Sequence, residues 1–276
     1  MAPLPPPRLI ATDLDGTLLR SGATVSPRTV AALAAAEAAG LQVIFVTGRP
    51  ARWMAVVREH VHGHGLAICG NGAAVVDLHR GGELIETRPL LRENALAIVH
   101  ALRRVAPGVS FAVERTAGFH HEPGYPPAGF EPIAVVAPVE KLLEPGPALR
   151  GLPILKLLAH HHAMDPDEFL ALGREVAGEH GEFTRSSPTA LLEISAPGVT
   201  KARTLAARCR RYGIRPDEVV AFGDMPNDLE MLRWAGTAYA MANAHPAVLA
   251  AIPRHAASNE EDGVAAVIEE LLADRF

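Results

Sequence analysis

Two aspartates separated by one residue follow an apolar run near the start of the chain. The run Leu9–Ala11 favours a β-strand, and Asp13 and Asp15 come shortly after it, with Gly16 next. Residues two apart on an extended chain point the same way, so both carboxylates can face one site. Two close carboxylates resist joint ionisation, so one stays protonated as an acid unless a cation neutralises both. The alternative interpretation is a capping turn with two solvated aspartates.

A hydroxyl group, an unhindered backbone and a cation follow two other strand-like runs. Thr47 and Gly48 come after Val43–Val46, and they offer a hydroxyl and an open backbone N–H to a phosphate oxygen. Lys201 comes after the run Leu191–Ile194 and opens a predicted helix, where its ammonium group can neutralise developing negative charge. Taken alone, Lys201 would be interpreted as a surface lysine.

The fourth polar group is the hexapeptide Gly223-Asp224-Met225-Pro226-Asn227-Asp228, which follows the strand-like run Val219–Phe222. Carboxylate oxygens at a strand end suit Mg²⁺, a hard cation that binds through one or two carboxylates and retains waters. Asp224 or Asn227 also suits a helix N-cap, and Asp228 favours the helix dipole. Capping and metal binding are compatible here, and the predicted cofactor is Mg²⁺.

The elements that must position these groups alternate in type. In the first and last thirds, strand-like runs such as Leu41–Val46 and Ala238–Met241 alternate with helix-like runs such as Arg28–Ala39 and Lys201–Tyr212. This alternation predicts a parallel sheet covered on both faces, joined by right-handed crossovers. The predicted fold class is therefore α/β, with a doubly wound parallel sheet. Ligands bind at the carboxyl ends of the strands in such sheets.

The middle third has a different pattern. Helix-like runs at Arg92–Val105 and Pro166–Glu179 are mixed with β-like pieces at Ser110–Val113 and Ile154–Ala159. We predict a separate α+β domain, residues 83–187, inserted into a catalytic core formed by residues 1–82 and 188–276.

Composition excludes several functional classes. The chain has 26 basic and 31 acidic residues without a Lys/Arg run, so no nucleic-acid partner is predicted. Charges or prolines interrupt the apolar runs before the ~18 residues that a membrane span needs, so no membrane association is predicted. Cys69 and Cys209 lie far apart and lack metal-ligand spacing, which indicates a reducing interior. We expect a cytoplasmic protein, and the sequence does not indicate its oligomeric state.

In this order along the chain, the four groups resemble the motifs of the haloacid dehalogenase (HAD) superfamily. The insertion between Thr47 and Lys201 is similar to that of the type IIB, Cof-like phosphatases. Further segments resemble that branch: Asn71-Gly72-Ala73, Gly198-Val199-Thr200-Lys201, Asn243-Ala244-His245-Pro246 and Asn259-Glu260-Glu261-Asp262-Gly263-Val264. The chain departs from the branch at Ala202 and Ala242, where glycine is common, and neither change affects a charge.

The resemblance implies a Rossmann-like HAD core, an inserted cap of the C2B type and a covalent mechanism. Asp13 would be the nucleophile that forms an aspartyl-phosphate. Asp15 would protonate the leaving alcohol and then deprotonate the attacking water. The implied Mg²⁺ ligands are Asp13, the Asp15 backbone carbonyl and Asp224, with Asp228 acting directly or through a neighbouring group. Thr47, Gly48, Lys201 and Asn227 would bind the phosphoryl oxygens.

The predicted function is that of a Mg²⁺-dependent phosphatase acting on small phosphorylated metabolites such as sugar phosphates. Three alternatives stay open: a dedicated biosynthetic phosphatase such as a glycoside-phosphate phosphatase, a phosphomutase, and a binding or regulatory relative without chemistry. The inserted domain is expected to act as a lid that selects the substrate. Its candidate selectors are Glu114, Arg115, His120, His121 and Lys156, each of which would be interpreted, alone, as a solvated surface residue.

Overall fold

The computed structural model describes residues 5–58, 65–116, 118–126, 135–144, 146, 151–187 and 189–273. The chain forms two compact units, Met1–Glu86 with Lys201–Phe276, and Thr87–Thr200. The first unit ends at residue 86, against a predicted 82. It resumes at Lys201, against a predicted 188, so the inserted unit is longer than expected. Pro188 itself lies outside the described residues.

The strands of the described residues belong to two sheets. In chain order they are β1 (Leu9–Thr12), β2 (Gln42–Val46), β3 (Leu66–Cys69), β4 (Ala74–Asp77), β5 (Glu83–Thr87), β6 (Ser110–Arg115), β7 (Gly118–His121), β8 (Ile154–His160), β9 (Glu182–Thr184), β10 (Leu191–Ser195), β11 (Val219–Gly223), β12 (Thr237–Met241) and β13 (His255–Ala256). The larger sheet has the order β13-β12-β11-β1-β2-β3-β4-β5, and the smaller has the order β7-β6-β8-β10-β9.

The helices of the described residues lie between or after these strands along the chain. They are α1 (Pro27–Ala38), α2 (Ala55–Arg58), α3 (Arg92–Val105), α4 (Val139–Leu143), α5 (Pro166–Ala177), α6 (Lys201–Arg211), α7 (Leu229–Trp234), α8 (Pro246–Ala251) and α9 (Gly263–Ala273). None of these helices combines the length and apolar character needed to cross a bilayer.

Strand β1 is the centre of the larger sheet and is completely buried. It pairs in parallel with β11 on one side and β2 on the other, so that Thr12 lies beside both Phe222 and Phe45. The chain therefore leaves β1 towards one side of the sheet and returns to its other side. This is a point where the strand order reverses, and it opens a crevice at the carboxyl ends of the strands. The predicted α/β class is confirmed, and the core sheet is parallel from β13 to β3, whereas β4 pairs antiparallel with β3.

The smaller sheet is antiparallel and carries helices on one face. Phe183 and Leu192 pack closely against Gly173 of α5. A Cβ added at this glycine would lie 2.9 Å from Phe183 and 3.0 Å from Leu192. The guanidinium carbon of Arg103, in α3, lies 5.7 Å from the centre of the Phe111 ring. Side chains alternate along a strand, so the residues between these positions face away from the helices.

One predicted strand belongs to the other unit. The run Leu191–Ile194 was expected in the parallel core because it precedes Lys201 in the chain. It forms β10, which pairs antiparallel with β8 and β9, for example Leu192 with Ala159. The alternation of buried Leu192 and Ile194 with the acidic Glu193 is the pattern of an antiparallel strand with two different faces.

Candidate active site

The predicted groups of the first unit meet at the carboxyl edge of the larger sheet. Asp13 follows β1, Thr47 follows β2, and Asp224 follows β11. The parallel register aligns these strand ends, and the Asp13 backbone N–H donates to the Phe222 carbonyl at 3.1 Å. Neighbouring strands lie about 4.8 Å apart, so side chains from adjacent strand ends can act on one ligand.

Lys201 is the first residue of α6 and one of the most deeply buried side chains, with 2% exposure. Its ammonium nitrogen Nζ lies 2.7 Å from Asp13 Oδ1 and 2.7 Å from Asp228 Oδ1. Burial alone would lower the pKa of this ammonium, but the two carboxylates outweigh burial and hold the pKa above its ordinary value. Lys201 is therefore a buried, charged side chain and not a surface lysine.

Asp13 is 4% exposed. Burial raises the pKa of its carboxyl well above the ordinary value, although the charge of Lys201 opposes the shift. The carboxylates of Asp224 and Asp228 add to the increase. Three carboxyl groups so close together are stable in ionised form only when cations balance them.

Asp228 connects the cluster to the backbone of the loop after β11. Its Oδ2 accepts hydrogen bonds from the backbone N–H groups of Asp224, at 3.1 Å, and Met225, at 3.0 Å. Its other oxygen, Oδ1, accepts from Lys201. Gly223 permits this arrangement, since an added Cβ would lie 2.6 Å from Asp228 Cβ. Asp228 thus fixes both the lysine and the loop that carries Asp224.

Asp224 receives a hydrogen bond on Oδ1 from the Thr17 hydroxyl at 2.9 Å. Burial, and next the charge of Asp228, raise the pKa of Asp224 to about 7. Gly16 packs directly against this carboxylate: its φ is +73°, and an added Cβ would lie 2.3 Å from Asp224 Oδ2. The sequence did not indicate Thr17 as a partner of Asp224, although the Asp-Gly-Thr motif contains it.

The oxygen donors of this cluster fit Mg²⁺. Asp13, Asp224 and Asp228 each offer a carboxylate oxygen, and these oxygens all lie within 4.8 Å of one another. All three residues are buried. Mg²⁺ prefers such hard oxygen ligands and keeps several waters. Within the part of the chain that the structure describes, this is the group of His, Cys, Asp and Glu side chains that has metal-ligand spacing.

Asp15 lies at the edge of this cluster, with its side chain 57% exposed. Both of its carboxylate oxygens accept from the guanidinium of Arg49, and the Nε–Oδ2 distance is 2.7 Å. The two aspartates of the first motif therefore have different surroundings, one buried against Lys201 and one paired with Arg49. Sequence reasoning gave Arg49 no separate role, although it completes the Thr-Gly-Arg motif.

The remaining predicted phosphate ligands lie around one left-handed residue, Asn71, whose φ is +56°. The Asn71 backbone N–H donates to the Thr47 carbonyl at 3.0 Å, and its side-chain Oδ1 accepts from Asn227 Nδ2 at 3.2 Å. Thr47 is fully buried, and its hydroxyl accepts from the Arg49 backbone N–H at 3.1 Å. Asn71 thus links the loops that carry Thr47, Gly48 and Asn227, a link that sequence reasoning missed.

The candidate selectors of the inserted unit divide between the two faces of its sheet. Arg115 donates to the Leu142 carbonyl of α4 at 2.8 Å, and His120 Nδ1 accepts from the Val135 backbone N–H at 3.2 Å. Glu114 and Lys156 are register partners on the opposite face, and Lys156 forms an ion pair with Glu193. Arg115, His120, Glu114 and Lys156 are all buried, so the surface interpretation was wrong for them.

Comparison with known proteins agrees with this geometry. The family model of haloacid dehalogenase-like hydrolases matches residues 10–268. The chain is 30% identical to the 5-amino-6-(5-phospho-D-ribitylamino)uracil phosphatase YitU of Bacillus subtilis, over 96% of this chain and 97% of that protein. It is also 30% identical to the pyridoxal phosphate phosphatase YbhA of Escherichia coli, over 95% and 97%. The solved structure of the HAD subclass IIB sugar phosphatase BT4131 superposes with a TM-score of 0.77 at 22% identity, over 95% of this chain and 98% of that one. The chain therefore belongs to the haloacid dehalogenase-like hydrolase family and is one of its phosphatases.

Proposed function

We propose that this phosphatase hydrolyses phosphomonoesters of small metabolites with Mg²⁺, through a covalent phosphoryl group on Asp13. The observation that supports this most strongly is the buried contact of Lys201 Nζ with Asp13 and Asp228, at 2.7 Å each, beside Asp224. One ammonium group and several carboxylates at the carboxyl ends of parallel strands are suited to positioning a phosphoryl group and balancing its charge.

The roles of the chain's own side chains follow from their contacts. Asp13 Oδ1 is held by Lys201, so the second oxygen, Oδ2, is the atom that attacks phosphorus. The bond between phosphorus and the leaving oxygen breaks as the Asp13 oxygen–phosphorus bond forms. Water then attacks the phosphoryl group, which releases inorganic phosphate and restores the Asp13 carboxylate. Lys201 and Asn227, with the Thr47 hydroxyl and the Gly48 backbone, would hold the phosphoryl oxygens throughout.

Asp15 suits the acid and base steps because it is the exposed aspartate of the pair. The proton that Asp15 gives to the leaving alcohol is replaced by the one that it takes from the attacking water, and the 57% exposure of its side chain leaves the carboxyl accessible to both. Arg49 holds the carboxylate by two hydrogen bonds and so fixes its direction.

Mg²⁺ would be held by the carboxylates of Asp13 and Asp224 and by the Asp15 backbone carbonyl, with Asp228 fixing Lys201 and the Asp224 loop. When bound, it neutralises charge on the phosphoryl oxygens and orients the ester for in-line attack.

The substrate class is proposed from the relatives. YitU and YbhA are named for phosphate esters of nitrogen heterocycles, so we propose a small phosphorylated metabolite of that kind, with sugar phosphates as the second group to test. We further propose that residues 87–200 select among substrates. Glu114, Lys156 and His121 are the candidates for that role because they share the face of the sheet that is opposite the helices. Arg115 and His120 instead contact backbone groups near α4 and β7.

A substrate panel tests the proposal. Purified protein is incubated with pyridoxal 5′-phosphate, the ribitylaminouracil phosphate and several sugar phosphates, with and without Mg²⁺, and released inorganic phosphate is measured. We expect Mg²⁺-dependent release from one or a few compounds, and none from the Asp13→Asn variant. Wild-type turnover by Asp13→Asn would refute the covalent scheme. Isomerised phosphoester with little free phosphate, dependent on a bisphosphate primer, would identify a phosphomutase instead.

A further inference from the structure

The loop that follows β1 is held by two asparagine side chains from the last quarter of the chain. Asn243 Nδ2 donates to the Gly16 carbonyl at 2.7 Å, and Asn259 Nδ2 donates to the Leu19 carbonyl at 2.8 Å. The two asparagines are themselves connected, since the Asn259 backbone N–H donates to Asn243 Oδ1 at 3.1 Å. Both lie in segments that resemble the Cof-like branch but received no role from the mechanism above. We call this connected pair the amide clamp.

The amide clamp acts on the part of the loop that touches a proposed metal ligand. Gly16 has a positive φ, and the position of an added Cβ lies 2.3 Å from Asp224 Oδ2. A displacement of Gly16 would therefore change the space available to the Asp224 carboxylate. Asn243 binds the carbonyl of this same glycine, one peptide after the Asp15 carbonyl that is expected to face the metal.

The turn that carries Asn243 also holds the second loop. The His245 backbone N–H donates to the Asp224 carbonyl at 2.8 Å. Residues 243 and 245 thus bind the backbones of Gly16 and Asp224, which carry the two sides of the carboxylate cluster. A segment of three residues therefore contacts the backbones of both loops, after β1 and after β11.

Neighbouring contacts fix the orientation of the clamp. Asn243 Oδ1 accepts from Asn259, so its Nδ2 is the atom left to face Gly16. Asn259 is 9% exposed. Asp262, three residues after Asn259, accepts a hydrogen bond from Arg20 on each of its carboxylate oxygens, both at 2.9 Å. Because Arg20 follows Leu19, this ion pair is a second link between the loop after β1 and the segment that carries Asn259.

We propose that Asn243, oriented by Asn259, is a positioning residue that sets the Mg²⁺ affinity of the carboxylate cluster. This inference rests on the proposed function, because it takes Asp224 as a metal ligand. The clamp touches neither the phosphoryl group nor the metal. Its effect is to keep Gly16 against Asp224, so that the carboxylates do not have to reorganise when Mg²⁺ enters.

Direct Mg²⁺ titration of the full chain by calorimetry tests the inference. Asn243→Ala removes both clamp contacts without adding charge, and we expect about tenfold weaker Mg²⁺ binding, the range seen when groups supporting metal ligands are lost. The concentration of Mg²⁺ that gives half-maximal turnover should rise by the same factor. KM for substrate at saturating Mg²⁺ should stay within about twofold of wild type. Because Asn243 is exposed, the melting temperature should change little.

Two further variants test whether the effect of Asn243→Ala comes from the lost hydrogen-bond donor. Asn243→Asp keeps the acceptor for Asn259 but places an oxygen against the Gly16 carbonyl, and its added negative charge would by itself favour Mg²⁺. Weaker binding in both variants therefore assigns the effect to the lost donor. Asn94→Asp in α3 carries the same substitution in the inserted unit and should bind Mg²⁺ as wild type does. Wild-type Mg²⁺ affinity in Asn243→Ala would overturn the clamp alone, whereas absence of Mg²⁺ binding in the wild-type protein would overturn the proposed function together with it.

Discussion

Replacing Lys201 with methionine removes the positive charge that lies 2.7 Å from both Asp13 and Asp228, while keeping a side chain of similar length. Removing one partner of a buried ion pair costs about 3–5 kcal/mol because the other charge stays buried and unpaired. Protonation of a carboxylate left without its partner limits this loss of stability. Protonating a carboxyl of ordinary pKa 3.8 costs about 1.4 kcal/mol for each pH unit above that value, or about 5 kcal/mol at about pH 7.5.

The same limit gives the prediction its pH dependence. A carboxyl whose pKa is raised on folding contributes least to stability at high pH, because its folded form prefers to keep the proton; stability falls as pH rises from about 4 through the folded pKa. Asp13 already has a raised pKa, and loss of Lys201 removes the charge that opposes the increase. We therefore expect Lys201→Met to lose about 3–4 kcal/mol at about pH 7.5 and about 1–2 kcal/mol at about pH 5.5.

Thermal unfolding of the metal-free protein at both pH values measures this difference. For a unit of this size, the larger loss corresponds to a decrease in Tm of roughly 10 °C. Turnover should fall at least about 10²-fold, as when a donor to developing negative charge is removed. The control is Lys141→Met, the same substitution at an exposed lysine of α4, which should change neither quantity. An equal loss of stability at both pH values would refute the reasoning, because it would identify packing, and not charge, as the contribution of Lys201.

Three further predictions follow from the same contacts. Asp15→Asn should reduce turnover by about 10²–10⁴-fold. The free energy of unfolding should fall by less than about 1 kcal/mol, because the pair with Arg49 is exposed. A loss of unfolding free energy as large as the loss of transition-state stabilisation would contradict this. Gly16→Ala should weaken Mg²⁺ binding by at least about tenfold, since its Cβ would overlap Asp224 at a positive φ; an unchanged titration would contradict it. Mg²⁺ binding near neutral pH should release protons, because the pKa of Asp224 is raised to about 7; binding heats that do not vary with the ionisation enthalpy of the buffer would contradict it.

Much of the site was predictable from the sequence because parallel strands bring their carboxyl ends to one edge. Asp13, Thr47 and Asp224 each follow a strand of the core, and the register of β1 with β2 and β11 makes their meeting unavoidable once the strands are assigned. The order of the motifs along the chain was enough, and no distance had to be known. The buried position of Lys201 did not follow from this logic, because the run before it, Leu191–Ile194, is a strand of the inserted unit, and Lys201 taken alone was interpreted as a surface lysine.

The parts that could not be predicted depend on pairing between distant segments. The run Leu191–Ile194 is apolar enough for either sheet, and only its pairing with β8 and β9 assigns it to the inserted unit. The pattern of alternation along β6 and β8 decides which candidate selectors share a face, and a bulge between Glu114 and Arg115 interrupts it. Hydrogen bonds of asparagine side chains to carbonyls more than 200 residues away leave no periodic signal in the sequence.

The charges of the carboxylate cluster explain why a divalent cation suits this site. If Asp13, Asp224 and Asp228 were all ionised, Lys201 would leave two net negative charges in a buried volume, and burial makes that state unfavourable. Without metal, protons supply the balance, as the raised pKa values of Asp13 and Asp224 indicate. A bound divalent cation would balance the same charge in place of the protons and leave the cluster neutral. Asp13 would then be held in its ionised form, which is the form that the proposed attack on phosphorus requires.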